Sequence, residues 1–204
     1  MMKPYLDQMR QFYRNSFSHY LFITAVAFGA LLVISFLVGF IYKDLAAGIM
    51  DWFGQQVAQI GVVDSSGKFS VIALFFNNCR SMASAILFGF LPYVYFSALS
   101  LGTNAMLVGL FAAVYVNEGK SLLVYLCGIL PHGIFEIPAL ILALSCGFYL
   151  CETVTAYCRS RETGIVRQAI CNVFPVYICI ILPLLLVAAV VECYLTPVIL
   201  QAIS

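Results

Sequence analysis

The chain has 204 residues, of which 63% are hydrophobic and 9% are charged, and its formal net charge is +1. A soluble domain of this size cannot bury so much apolar surface, so the composition indicates an all-α multi-pass membrane protein, with residues 1–204 forming one integral membrane domain in the lipid bilayer. The near-zero net charge gives no support for nucleic-acid binding.

Residues 1–20 form a short polar segment that we expect on the cytoplasmic side. Basic side chains outnumber acidic ones there, and apolar side chains recur at helical spacing, which predicts a helix lying along the membrane surface (Tyr5, Leu6, Met9, Phe12 and Tyr13). The apolar run over residues 21–42 is too long for the core of a cleaved signal peptide, so it predicts a retained first span.

Residues 44–60 have the pattern of an amphipathic helix. Asp44 can cap its start, and the apolar side chains fall largely on one face (Leu45, Ile49, Trp52, Phe53, Val57 and Ile60). We expect this helix to lie in the membrane interface, where the single tryptophan would anchor it. An ordinary helix in an extramembrane loop is the alternative.

A second long apolar run covers residues 69–101 and carries Asn77, Asn78 and Arg80 near its start. On a helix these polar side chains, together with Ser81 and Ser84, make a stripe that we expect to point away from lipid. The Leu101-Gly102-Thr103-Asn104 sequence predicts a break before a short span over residues 105–116. Gly102 and Gly109 would permit close helix packing there.

The apolar run over residues 121–150 contains the sequence L-P-H-G-I-F-E-I-P-A (residues 130–139). His132 and Glu136 are four residues apart, so a helix places them on one face. Pro131 and Pro138 predict a broken helix, and Gly133 invites close approach by another backbone. The run either crosses the membrane once or re-enters it as two half-helices.

Residues 151–168 are polar and rich in arginine, and a last span over residues 169–195 carries Glu192. The arginine-rich loop and the N-terminal segment both belong on the cytoplasmic side of the cell (inner) membrane by the positive-inside rule. This predicts about five spans, with the C-terminus outside. The eight cysteines lie mostly in apolar runs without a C-x-x-C pair, so we expect neither disulfides nor a cofactor.

Seven polar residues fall at membrane depth, where unpaired charges are costly, so we expect them to meet in one buried network (Asn77, Asn78, Arg80, Asn104, His132, Glu136 and Glu192). Arg80 would pair with Glu136 or Glu192. The network either fixes helix packing or lines a transport cavity. A metal site is a weaker interpretation, with His132, Glu136 and Glu192 as ligands of an intramembrane hydrolase, because H-E-x-x-H is absent.

The P-H-G-x-x-E-x-P core resembles the signature of the stage II sporulation protein M family. The resemblance continues in Phe76-Asn77-Asn78, in Gly102-x-Asn104 with Gly109, and in the terminal V-V-E-C-Y-L-T-P (residues 190–197). It implies an integral membrane protein of about five spans. The family's namesake belongs to an engulfment complex and works beside two peptidoglycan-cutting enzymes.

From this resemblance we expect a non-enzymatic scaffold for envelope-associated or peptidoglycan-remodelling partners. Many relatives come from organisms that make no spores, so the resemblance does not by itself imply a role in sporulation. A small transporter or channel component with an Arg/His/Glu cavity is the alternative. Short loops and small-residue faces also predict self-association.

Overall fold

The computed structural model describes residues 12–60 and 70–203, apart from the side chains of residues 15, 16, 56–60 and 203. The predicted surface helix falls largely on residues 1–11, outside this part of the chain. Residues 12–17, by contrast, continue directly into the first span. Phe12 and Phe17 are buried in the main core, where their rings pack against each other and the ring of Phe12 also packs against Tyr149.

Eight α-helices make up the described part of the chain. They are α1 (Ser18–Ile41), α2 (Lys43–Ile60), α3 (Val71–Leu87), α4 (Ser97–Asn117), α5 (Leu122–Ser160), α6 (Ile165–Val176), α7 (Leu182–Val190) and α8 (Thr196–Ile203). Two π-helical turns, Tyr177–Ile181 and Val191–Leu195, join α6, α7 and α8 into one rod. Five helical rods are long and apolar enough to cross a membrane, which confirms the predicted all-α architecture and span number.

The predicted break at residues 101–104 is wrong, because α4 runs unbroken from Ser97 to Asn117. Thr103 and Asn104 satisfy their polar groups inside the helix, where both donate hydrogen bonds to the carbonyl oxygen of Ser100, at 3.1 and 2.8 Å. The chain instead leaves the helical path at residues 91–96, where Tyr93 and Tyr95 have positive φ angles of 68° and 48°.

The prediction of a broken helix around Pro131 and Pro138 is also wrong, because α5 is continuous through both prolines for 39 residues. Each proline removes one backbone hydrogen bond, a loss that membrane helices tolerate when neighbouring helices hold them. Here every residue from Ala143 to Gly147 is buried against other helices. That packing keeps the helix intact, and the segment crosses once rather than re-entering.

Helix α5 is the centre of the bundle. Its buried side chains, among them Leu140, Leu144 and Leu150, form the main core with residues of α1, α3, α4 and the last rod. At about 58 Å, the length that 39 residues give, α5 exceeds the hydrocarbon thickness of about 30 Å. It therefore extends beyond the membrane, and the polar segment predicted over residues 151–168 is helical up to Ser160, which reduces the arginine-rich loop to a turn over residues 161–164.

Hydrogen bonds fix which helix ends lie together. The hydroxyl of Tyr20 donates to Glu152, and the backbone N–H of Tyr93 donates to Oγ1 of Thr155 at 3.0 Å. The start of α1, the 91–96 loop and the end of α5 therefore share one end of the bundle. Asn117 donates to the carbonyl of Gly39 at the opposite end. The start of α1 and the arginine-rich turn thus lie at the same end of the bundle, as an even number of crossings between them requires.

The amphipathic helix predicted over residues 44–60 is α2. Ala46 and Met50 are buried against Leu110 of α4, and the ring of Phe53 packs edge-on against Phe111. Leu45 and Trp52 are largely exposed. The predicted position of this helix in the membrane interface stays a prediction.

Candidate functional site

Three of the predicted polar residues converge inside the bundle. His132 and Glu136 come from α5, and Glu192 comes from the last rod. One ligating atom from each lies within 4.8 Å of the others, and all three side chains are partly buried. The predicted meeting of these residues is therefore present in the structure.

The local backbone explains how the three side chains reach one point. Because α5 is continuous, the spacing of four residues puts His132 and Glu136 on one face. Glu192 lies in the π-helical turn Val191–Leu195. A π-helical turn contains an extra residue, which shifts the direction of the side chains that follow and is frequent at functional sites.

A cavity of about 120 Å³ lies beside His132 and Glu136, between α1, α4 and α5. Its polar wall is formed by these two residues and Asn104. The remaining lining is apolar (Phe28, Val108, Ile129, Gly133, Ile137 and Leu140). The amide nitrogen of Asn104 already donates to Ser100, which leaves its carbonyl oxygen as an acceptor at the cavity.

The electrostatics of the site are unbalanced within the described residues. Neither Glu136 nor Glu192 takes part in an ion pair there, since the ion pair found in that part of the chain joins Lys120 to Glu118. Nδ1 of His132 is buried and has no hydrogen-bond partner. Two carboxylates and one imidazole are therefore available to a cation or to protons.

Arg80 does not join the site, contrary to the prediction. It is exposed on α3, whose buried face is formed by Leu74, Met82, Ala85 and Ile86. Because each residue turns a helix by about 100°, Arg80 lies roughly opposite this face. The predicted ion pair with Glu136 or Glu192 is therefore wrong.

Asn77 and Asn78 are partly buried on α3 but do not line the cavity. The side chains of the polar stripe predicted on this helix do not share one environment. Arg80 and Ser81 are exposed, whereas Asn77 and Ser84 are partly buried. The hydroxyl of Ser84 returns to its own helix, where it donates to the carbonyl of Arg80. The residues that the structure brings together are therefore Asn104, His132, Glu136 and Glu192.

The prediction that another backbone approaches Gly133 is wrong as well. A β-carbon at Gly133 would meet only side chains of its own helix, Ile129 and Ile137, at 3.4 and 3.6 Å. Close approach occurs elsewhere. A β-carbon at Gly109 would overlap Ser35 and the carbonyl of Leu32, and one at Gly147 would overlap the carbonyl of Ala85. The predicted packing role thus holds for Gly109, whereas nothing lies within 4 Å at Gly102.

One buried polar contact was missed by the sequence reasoning. Ser145 donates to the carbonyl of Ile141 at 2.7 Å, and its hydroxyl oxygen lies 3.2 Å from the hydroxyl of Thr24, from which it can accept; both hydroxyl side chains are fully buried. The available signal was a threonine in the middle of the first apolar run. Because such hydroxyls also bond to their own helix, the sequence does not reveal that these two meet.

The fold and the site together define a multi-pass α-helical membrane protein with a His–Glu–Glu cluster between its spans. The family model described as stage II sporulation protein M matches residues 18–197, which covers most of the chain. The chain therefore belongs to the stage II sporulation protein M family.

A relative is known from Methanocaldococcus jannaschii, where the protein is uncharacterized. It is 29% identical over 136 residues, which represent 64% of this chain and 72% of the relative. No solved structure shows a significant match.

Proposed function

We propose that this protein is a non-enzymatic scaffold of a membrane complex and that it binds a transmembrane partner through the outer face of α3. The observation that carries the proposal is the position of Arg80, which is exposed about halfway along the apolar span Val71–Phe90. Within the described residues it pairs with no carboxylate.

An arginine in contact with lipid at this depth is costly. Placing its charge at the centre of a membrane helix costs about 2.5–3.5 kcal/mol even on insertion scales. A partner helix that presents a carboxylate at the same depth would remove this cost by forming an ion pair. The neighbouring side chains Ile72, Phe76 and Leu87 are 69%, 65% and 60% exposed, so they offer an apolar surface on both sides of Arg80.

Charge complementarity favours a different protein over a second copy. The described spans of this chain carry their mid-membrane carboxylates at Glu136 and Glu192, which are partly buried in the site. Envelope-associated or peptidoglycan-remodelling proteins with an acidic residue in a transmembrane helix fit this requirement, and they agree with what the family resemblance implies. Self-association stays a separate prediction, which sizing in mild detergent at varied concentrations tests.

Photo-crosslinking from Phe76 in native membranes tests the proposal. We expect a crosslinked membrane protein whose yield falls with Arg80→Leu and is kept with Arg80→Lys, because lysine retains the charge. Replacing the partner's membrane carboxylate by its amide should lower the yield equally. Arg161→Leu is the matched control, since Arg161 is exposed in a turn outside the spans. Crosslinks that are unchanged in Arg80→Leu would contradict the proposal.

A second candidate function, a small transporter or channel component, is favoured by the cavity beside Asn104, His132 and Glu136. On this hypothesis, Glu136→Gln gives a folded protein that has lost flux in proteoliposomes. On the scaffold hypothesis, the same variant leaves the Arg80-dependent crosslink in place. The two measurements use different residues, so one can fail without the other.

We also propose that the chain lies in the cell (inner) membrane with its N-terminus in the cytoplasm. Arg14, Arg159, Arg161 and Arg167 support this orientation, because all four belong to the end of the bundle at which Tyr20 meets Glu152. Basic residues near span ends are retained on the cytoplasmic side.

A further inference from the structure

We propose that His132, Glu136 and Glu192 bind one divalent first-row transition metal ion inside the membrane. The inference does not depend on the scaffold function, because it rests on a different part of the molecule. One nitrogen and two oxygens converge from two separate rods, although the three residues are spread over 61 positions of the sequence.

The distances nearly match a metal site. Transition metals hold imidazole nitrogens and carboxylate oxygens at about 2.0–2.2 Å, so two ligands of one ion lie at most about 4.4 Å apart. The three ligating atoms lie within 4.8 Å of one another. Because neighbouring ligands of a tetrahedral ion lie only about 3.4 Å apart, side-chain movements of up to about 1.4 Å, within the reach of glutamate, close the site around an ion.

The two carboxylates of the cluster favour a bound cation. Two partly buried carboxylates face each other without an ion pair in the described residues, and no arginine or lysine lines the adjoining cavity. Carboxylates buried at membrane depth are normally paired or bound to metal. A divalent ion would balance both charges at once.

The unpartnered nitrogen of His132 is an independent indication. Its Nδ1 atom is buried and has no hydrogen-bond partner, and in the tautomer that is protonated at Nε2 this atom would offer its lone pair to a metal. Because one ligand is an imidazole, the set favours zinc, iron or manganese over magnesium or calcium, which prefer oxygen ligands alone.

The cavity supplies the remaining coordination positions. Its volume of about 120 Å³ exceeds the roughly 30 Å³ that one water occupies, and it is lined by His132, Glu136 and Asn104. Water molecules held in part by the amide oxygen of Asn104 can complete the shell. Metal sites in which the ion remains accessible have this arrangement, with three protein ligands and water at the open coordination positions.

Metal binding to the full chain in detergent micelles or nanodiscs tests the proposal. After chelator treatment, the protein is dialysed against Zn²⁺, and the bound metal is counted by mass spectrometry. We expect one Zn²⁺ per chain, and an unfolding temperature that rises with the Zn²⁺ concentration. Mg²⁺ at the same concentration should produce neither effect. This part of the test needs only the unmodified chain, so it stays decisive if a variant fails to fold.

Zn²⁺ binding should weaken at least about tenfold in each of three site variants, since losing even an outer-sphere partner of a metal site costs that much. The variants are His132→Ala, Glu136→Gln and Glu192→Gln. His19→Ala and Glu162→Gln are matched controls, because His19 is the other of the two histidines and both side chains are exposed. The controls should bind Zn²⁺ like the unmodified chain.

Three outcomes would overturn the proposal. The first is a folded chain that binds no Zn²⁺. The second is Zn²⁺ binding that is lost in His19→Ala but kept in the three site variants, and the third is Mg²⁺ binding equal to that of Zn²⁺. Co²⁺ in place of Zn²⁺ adds a check on the ligands, since the chain also has eight cysteines whose thiols would compete for the ion. The strong near-ultraviolet absorption of a cobalt–thiolate bond would assign the ion to a cysteine and would also overturn it.

Discussion

At the scale of single residues, polar side chains inside the spans have three different fates. Thr103, Asn104 and Ser84 bond to carbonyls of their own helix. His132, Glu136 and Glu192 meet across two rods, and Arg80 faces outward. The first fate costs little, because the helix itself supplies the acceptor. The other two leave charges that need a partner, which is why the proposals rest on them.

Gly109 offers a sharp test of packing at this scale. Its position between Ala105 and Ala113, both fully buried, forms a small-residue stripe that lets α4 approach α1 closely. We expect Gly109→Ala to lower the free energy of unfolding by about 1–3 kcal/mol, because the added methyl group would overlap Ser35 and the backbone of Leu32. Thermal or denaturant unfolding in a fixed detergent measures the change.

Gly133→Ala is the control for this prediction, since Gly133 is also buried within a helix but meets only flexible side chains. Alanine gains up to about 1 kcal/mol in helix propensity over glycine, so this variant should be neutral or slightly stabilised. A loss at Gly133 as large as that at Gly109 would contradict the structure.

At the scale of elements, α5 shows how tertiary packing overrides a local signal. Pro131 and Pro138 each remove one hydrogen bond from the helix. The C-terminal half of α5 nevertheless packs against four other rods, with Ala143, Leu144 and Cys146 fully buried. The apolar contacts of this half exceed the loss of two hydrogen bonds, and the helix keeps His132 and Glu136 on one face.

The 91–96 loop is the element that replaces the predicted break in α4. Tyr93 has a left-handed backbone, its N–H donates to Thr155, and its ring contacts Arg159 at 5.6 Å. Partial desolvation raises the pKa of Tyr95, the second residue with positive φ, and its ring packs against Phe148 of α5 with the centroids 6.4 Å apart. The loop is therefore held by contacts to α5 rather than by its own sequence.

We expect Thr155→Val to loosen this loop. The valine has nearly the same shape but cannot accept the hydrogen bond of Tyr93, and an unpaired backbone N–H costs about 1–3 kcal/mol when buried. Hydrogen exchange of residues 91–96 should speed up, and Thr155→Ser should restore slow exchange because serine keeps the acceptor. Equal exchange in the valine variant and the unmodified chain would show that the bond is unimportant.

At the scale of the whole molecule, the five spans alternate in direction and bring four arginines to one end, namely Arg14, Arg159, Arg161 and Arg167. The turn over residues 161–164 lies at that end, and Lys120 lies at the other, beside Glu118, which raises the pKa of Lys120. This arrangement agrees with the positive-inside rule. It also places the His–Glu–Glu cluster between the two membrane faces.

Labelling with a membrane-impermeant maleimide tests this topology. In a chain whose native cysteines have been replaced, a cysteine at Lys120 should react in intact cells, and a cysteine at Arg161 should react only after the membrane is opened. The physical reason is the positive-inside rule, which favours the cytoplasm for the arginine-rich end of the bundle that contains the turn between α5 and α6. Reaction of both positions from the same side would refute the five-span arrangement.

The sequence by itself determined the class, the number of spans and the core of the site. Long apolar runs count spans because backbone groups in lipid must bond within helices, and the spacing of His132 and Glu136 fixes their common face. Glu192 was recognised as a member of the site because a carboxylate at membrane depth needs a partner. These are local properties of composition and period.

Only the tertiary structure decided where the helices stay whole, which glycines are crowded and which way Arg80 points. The path of α5 through two prolines and the close contacts of Gly109 depend on what lies across the bundle. The outward position of Arg80 follows from which face of α3 packs inward. A single helix can present its polar residues to either side, and the choice is made by the sum of contacts with its neighbours.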